Sequence, residues 1–135
     1  MNFEFATATR IVFGAGSIEQ LQTIARSLGS RPFLVTGRDI SRVPKAAASL
    51  TATTFQVSGE PTFESVRAGT DKVRAAGCDV VIAIGGGSVI DAGKAISMLL
   101  TNGGDPRDYA EVIGAGRAIA KPSAPFVAVP TTAGT

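Results

Sequence analysis

Histidine is missing from all 135 residues of this chain, and so is tryptophan. The first absence removes the commonest metal ligand and the commonest general base at neutral pH. A hydrolytic triad or a zinc site would have to be built without it. The second, with a single tyrosine, leaves no stacking platform for single-stranded nucleic acid. One cysteine, Cys78, excludes an internal disulfide and suits a reducing compartment, so a cytoplasmic protein is expected. A net charge of +2, with Lys and Arg scattered along the chain, gives no strong field for nucleic acid or an anionic membrane. No apolar run approaches the ~20 residues that span a bilayer. The start, MNFEFATATR, lacks the charged and apolar regions of a signal peptide. What remains is 44% apolar and 18% charged, ordinary for one soluble domain, taken as residues 1–135.

There is no repeat, low-complexity tract or long linker. Arg10 to Phe13 reads as a short strand, paired with Phe3 to Phe5 as a hairpin. Ser17 and Gln20 fit a capping box ahead of Ile18, Leu21, Ile24, Ala25 and Leu28 at helical spacing, with Gly29 as the stop. PFLVT (32–36) reads as a buried strand, followed by GRD. Val43 to Leu50 is Ala-rich and predicts a helix with Pro44 in its first turn. Thr53 to Val57 is a strand by its β-branched and aromatic residues. Pro61 and Thr62 announce a helix, with Phe63, Val66 and Val73 on one side and Gly77 as its stop. VVIAI (80–84) is a strand, Val89 to Leu100 a helix, and NGGDP a loop. Tyr109 to Pro125 is irregular, and Phe126 to Val129 is one more strand. Strands alternating with helices predict an α/β, Rossmann-like, doubly wound and mainly parallel sheet with helices on both faces. Ligands of such sheets lie beyond the carboxyl ends of the strands. GRD, GGGS and TTAGT all fall there.

The segment GGGS (85–88) opens a helix, whose N-terminus carries unpaired N–H groups and about half a positive charge. Gly85, Gly86 and Gly87 let a phosphate reach those groups with no Cβ in the way. Ser88 can cap the helix or donate its hydroxyl to a phosphate oxygen. Asp91 falls at the third helical position and Lys94 one turn later. A structural reading stands beside this one: S-V-I-D fits a capping box, and Asp91–Lys94 fits an ordinary surface ion pair. Capping, however, needs no run of glycines. The pattern G-x-G-x-x-G fails because Ile90 takes the third place. Gly14-Ala15-Gly16 fails it with Glu19. The Walker pattern fails too, since Gly93-Lys94 lacks the upstream glycine and is followed by Ala95.

GGGSVIDAGKAI resembles the GGGSxxDxxK segment of the iron-containing alcohol dehydrogenases, which include the maleylacetate reductases. FVAVPTTAGT resembles the start of their PTTxGTGSE segment, and RIVFGAGS and VSGEPT also look like family features. The resemblance covers essentially the whole chain. It implies an α/β domain that binds NAD or NADP, and a helical domain that holds a divalent metal, Fe or Zn, through Asp and His. This sequence has no histidine and stops within the second motif. It is therefore expected to be a fragment without the C-terminal helical domain, inactive alone, with no catalytic or metal-binding residue of its own. A homo-oligomer is expected.

By that analogy Gly86, Gly87 and Ser88 hold the pyrophosphate, and Asp91 lies toward the nicotinamide. Thr131, Thr132 and Thr135 contact the cofactor from the next strand end. Many relatives place an acidic residue after a strand to hold the adenosine ribose; here Gly37 and Arg38 stand at or near that place. Loss of the carboxylate removes repulsion of a 2′-phosphate, and Arg38 can pair with one. The expected function is hydride transfer between nicotinamide and a small alcohol or carbonyl compound. A non-catalytic nucleotide-binding module and a dehydroquinate-synthase-like relative are the alternatives.

Overall fold

Phe33 and Val35 point to one side of a strand and Leu34 to the other, and the same alternation recurs in Val81, Ile82, Ala83 and Ile84. Both sides are buried, as a strand in the middle of a parallel sheet requires. A computed structural model of the chain describes residues 10–133. Its sheet holds four strands, β1 (Pro32–Gly37), β2 (Thr53–Val57), β3 (Val80–Gly85) and β4 (Phe126–Pro130), all parallel and in the order β2-β1-β3-β4. The helices are α1 (Leu21–Leu28), α2 (Lys45–Ala48), α3 (Phe63–Ala75), α4 (Gly87–Asn102) and α5 (Pro106–Tyr109).

One core packs Phe33, Val35, Val57, Val81 and Ala83 against Val66 and Val73 of α3 and Val89, Ile90, Ile96 and Leu99 of α4. The other packs Leu34, Ile82 and Ile84 against Leu21 and Ala25 of α1 and Ala47 of α2. Helices thus cover both faces, as the alternation of elements predicts. From β1 the chain winds one way to β2 and the other way to β3 and β4. The carboxyl ends of β1 and β3, where Thr36 pairs with Ile84, therefore flank the point where the order reverses. In open α/β sheets that point is the ligand crevice.

Several local expectations change. Arg10 to Phe13 is irregular rather than a strand, and Phe3 to Phe5 lies outside the described residues. Ser17 makes no cap: Gly16, with φ 76°, leads into a 3-10 turn over Ser17–Gln20, and the α-helix begins only at Leu21. The Ala-rich helix shrinks to Lys45–Ala48, because Pro44 stays extended at its N-cap and only Ala47 is buried. Three alanines anchor little against the sheet. The NGGDP loop contains an unforeseen N-cap: Asp105 accepts from Arg107 N–H and opens α5. The longest helix starts at Gly87 rather than Val89 and ends at Asn102.

At the opposite edge of the sheet, Asp79 ties the start of β1 to β3. Its carboxylate accepts from Ser30 N–H (3.0 Å), Ser30 Oγ (2.8 Å) and Arg31 N–H (2.8 Å). The backbone hydrogen bonds to Arg31 and Ser30 lead in holding its pKa down to about 2.

Candidate functional site

β3 ends on Gly85, whose carbonyl accepts from Thr131 N–H at 2.9 Å just past the end of β4. The chain then turns at Gly86, the N-cap of α4, with extended backbone (φ −76°, ψ −173°) and no side-chain cap. The Gly86 carbonyl accepts from Val89 and Ile90 N–H, both at 3.1 Å. The N–H groups of Gly87 and Ser88, in the first turn, have no partner among the described residues. Asp91 consequently sits at the fifth helical position, not the third, and the S-V-I-D capping box does not form. The helix starts two residues before the point that its apolar periodicity predicts, since glycines are poor helix formers and carry no helical signal.

What each glycine is for can be tested by adding a Cβ. At Gly85 it would stand 2.7 Å from the Val89 side chain, so packing alone demands glycine there. At Gly86 it would meet only Thr132, at 3.5 Å, an ordinary contact, and at Gly87 nothing within 4 Å. Neither residue has the positive φ that favours glycine. Neither conformation nor packing within the described residues accounts for these two glycines. They leave an open cradle over unpaired N–H groups at a helix N-terminus, the arrangement a phosphate requires.

The other candidate residues gather around this point to different degrees. Thr131 and Thr132 are exposed beside Gly85 and Gly86. Thr135 lies outside the described residues. Gly37 ends β1, and a Cβ there would touch Val89 at 3.7 Å. Arg38 is exposed and donates through Nη2 to the Ser58 hydroxyl, just past the end of β2. Asp39 turns away: it caps the next turn through Ser41 N–H (3.0 Å) and Ser41 Oγ (2.5 Å) and pairs with Arg42 at 3.3 Å. Its bonds from Ser41 hold its pKa below the usual carboxylate range. Asp91 is exposed and pairs with Lys94 at 3.6 Å, the surface ion pair that the spacing allows. It also lines an open groove of about 560 Å³ between α3, α4 and α5, with Phe63, Met98 and Tyr109.

One residue went unnoticed in the sequence. Glu60, on the turn after β2, accepts from the Ser88 hydroxyl at 2.8 Å. The proton that Ser88 was expected to offer to a phosphate goes to Glu60 in this arrangement, leaving the Ser88 N–H for an anion. The signal was present in VSGEPT, where a carboxylate stands between a glycine and a proline.

A catalytic metal does not fit these residues. The chain has no histidine, and no three Cys, Asp or Glu side chains converge to hold an ion among the described residues. No helix among them is long and apolar enough to cross a membrane.

The model of one family, iron-containing alcohol dehydrogenase, matches residues 8–135. The chain belongs to that family. A 4-hydroxybutyrate dehydrogenase of Cupriavidus necator is 36% identical over 94% of the chain. A sulfoacetaldehyde reductase of Bilophila wadsworthia is 33% identical over all of it. The crystal structure of the sulfoacetaldehyde reductase from Bifidobacterium kashiwanohense in complex with NAD+ superposes over the whole chain with a TM-score of 0.86 at 29% identity. The chain spans 35% and 36% of the two curated relatives and 37% of the crystallised one. The Rossmann-like α/β fold and the glycine-rich turn are thus those of an iron-containing alcohol dehydrogenase over about a third of such a protein's length.

Proposed function

We infer that residues 1–135 form the dinucleotide-binding part of a metal-dependent NAD(P) alcohol dehydrogenase or reductase, which passes hydride between nicotinamide and a small alcohol or carbonyl compound. One observation carries the reading: among the described residues Gly86 and Gly87 have no conformational or packing reason to be glycine, and they open onto N–H groups of Gly87 and Ser88 that no described residue pairs. Family membership supports it. A nicotinamide dinucleotide, when bound, supplies the hydride or takes it up.

The roles of this chain's residues rest on charge and position. The N–H groups of Gly87 and Ser88, with the positive end of the 16-residue helix α4 behind them, hold the pyrophosphate. Gly86 keeps the approach clear. Thr131 and Thr132 are exposed donors at the adjoining strand end, and Thr135 belongs to the same segment. Gly37 presents no carboxylate to repel a 2′-phosphate and Arg38 offers a guanidinium, so NAD and NADP are both admitted. Asp91, paired with Lys94 one turn further along, is set toward the nicotinamide side.

Calorimetry with NADH and NADPH tests this, on the parent and on Gly87→Val, with thermal melts alongside. The parent binds, and the variant keeps its fold but binds more weakly by roughly tenfold to several hundredfold, the cost of one or two charge-assisted hydrogen bonds. Equal binding by a well-folded variant means that the glycines serve only the turn.

A further inference from the structure

Val89 follows Gly87 and Ser88 in the first turn of α4, and it grips the glycine-rich turn twice. Its N–H donates to the Gly86 carbonyl at 3.1 Å. Its side chain packs on Gly85, where an added Cβ would stand 2.7 Å from Val89 Cβ and Cγ2. The same side chain reaches the neighbouring strand: a Cβ at Gly37 would lie 3.7 Å from Val89 Cγ2. Gly85 is the last residue of β3 and Gly37 the last of β1. Val89 is only 6% exposed. It therefore fills the space between two strand ends at the point where the order of the sheet reverses.

Valine is a weaker helix former than alanine or leucine, so helix propensity does not favour it there. What it supplies is stiffness, because the branch at Cβ leaves one strongly preferred rotamer in a helix. Neither glycine that it touches has a Cβ to share the space. The separation of the two strand ends thus rests on a pair of methyl groups with little freedom to move. We propose that Val89 is a positioning residue for dinucleotide binding: as a rigid spacer between Gly37 and Gly85, it sets the distance from the phosphate cradle to the end of β1. The inference rests on the dinucleotide reading above, with the pyrophosphate in the cradle and the adenosine side toward Gly37 and Arg38. A dinucleotide spans both strand ends and feels that distance. A free pyrophosphate ion occupies the cradle alone and does not.

That difference separates a spacer from ordinary core packing. The whole chain is titrated with NADH, and with inorganic pyrophosphate as competitor, as parent, Val89→Ala and Val89→Leu. Val89→Leu keeps the apolar bulk and loses the branch, so it serves should Val89→Ala not fold. Val73→Ala, the same truncation at a fully buried site near the C-terminal end of α3, is the control for lost packing. Melting curves accompany each titration. Both Val89 variants are expected to weaken NADH by roughly threefold to tenfold, as one hydrogen bond falls out of alignment. Pyrophosphate stays within about twofold of the parent, less than the effect of losing one hydrogen bond. Val73→Ala melts lower yet binds NADH like the parent. If the folded Val89 variants hold NADH as tightly as the parent, Val89 is core packing only. If NADH and pyrophosphate weaken together, or if Val73→Ala weakens NADH as much, the spacer role is overturned while the cradle stands. If the parent binds no NADH, the dinucleotide reading itself fails, and this inference with it.

Discussion

A Cβ at Gly93 would stand 2.8 Å from Ala83 Cβ and 2.9 Å from the Phe126 ring, and one at Gly87 would meet nothing within 4 Å among the described residues. Two glycines six residues apart in the same helix are therefore there for unrelated reasons. Gly93 lets α4 lie close on β3 and β4. Gly87 keeps space outside the chain. Gly93→Ala should lower stability by about 1–3 kcal/mol through overpacking against strand atoms that cannot yield. Gly87→Ala should leave it near the parent, since the new methyl group points into open space. Urea unfolding of both variants measures the difference, and equal losses would refute the distinction. The sequence raises the question of three adjacent glycines but cannot divide them. Whether Val89 or a ligand fills the space depends on which way each Cα–Cβ bond would point. Glu60 was hidden for a related reason: 28 positions separate it from Ser88.

Elements were legible where burial and turn chemistry agree, and not where one acts alone. Thr53–Val57 matches the expected strand end for end, and α3 starts directly after the Thr62 that announces it. The cap there is a reciprocal pair of Thr62 and Ser65. Ser17 offers the same side-chain chemistry but fails, because Gly16 in the left-handed region diverts the chain into a 3-10 turn. The join between β1 and β3 at their amino ends shows an interaction that no local pattern foretells. Asp79 collects three hydrogen bonds from Ser30 and Arg31, and its pKa falls from 3.8 to about 2. Because the folded value is the lower one, the ionised group favours the fold. The contribution is complete above about pH 4 and is lost as pH falls toward 2. Asp79→Asn should lower the melting temperature near neutrality, and the gap from the parent should close as pH falls from 4 to 2. Melts across that range check it. The comparison isolates Asp79 from Asp39, Glu64 and Asp105, whose pKa values are also lowered. A gap that is constant with pH would assign the effect to shape instead.

For the whole molecule, alternating strands and helices predict a parallel sheet covered on both faces, and the family motifs lead to the same fold. The order β2-β1-β3-β4 is not written in any segment; it arises from which strands bury which neighbours, and it sets the site. By reversing direction at β1 it brings the ends of β1 and β3 side by side. The adjoining ends of β2 and β4 then add Ser58 and Glu60 on one side and Thr131 and Thr132 on the other. Every candidate residue described there can bind, orient or repel an anion. None has the imidazole–carboxylate set that holds a polarising metal, and the sequence contains no histidine to complete one. Binding and turnover should therefore separate. The purified 135-residue chain should bind NADH yet fail to oxidise small primary alcohols with NAD or NADP, with Fe(II) or Zn(II) added in excess. Nicotinamide absorbance in the presence and absence of each metal is the measurement. Metal-dependent turnover above the background of the metal alone would show that these residues form a catalytic centre, and would overturn the division of labour argued from their side chains.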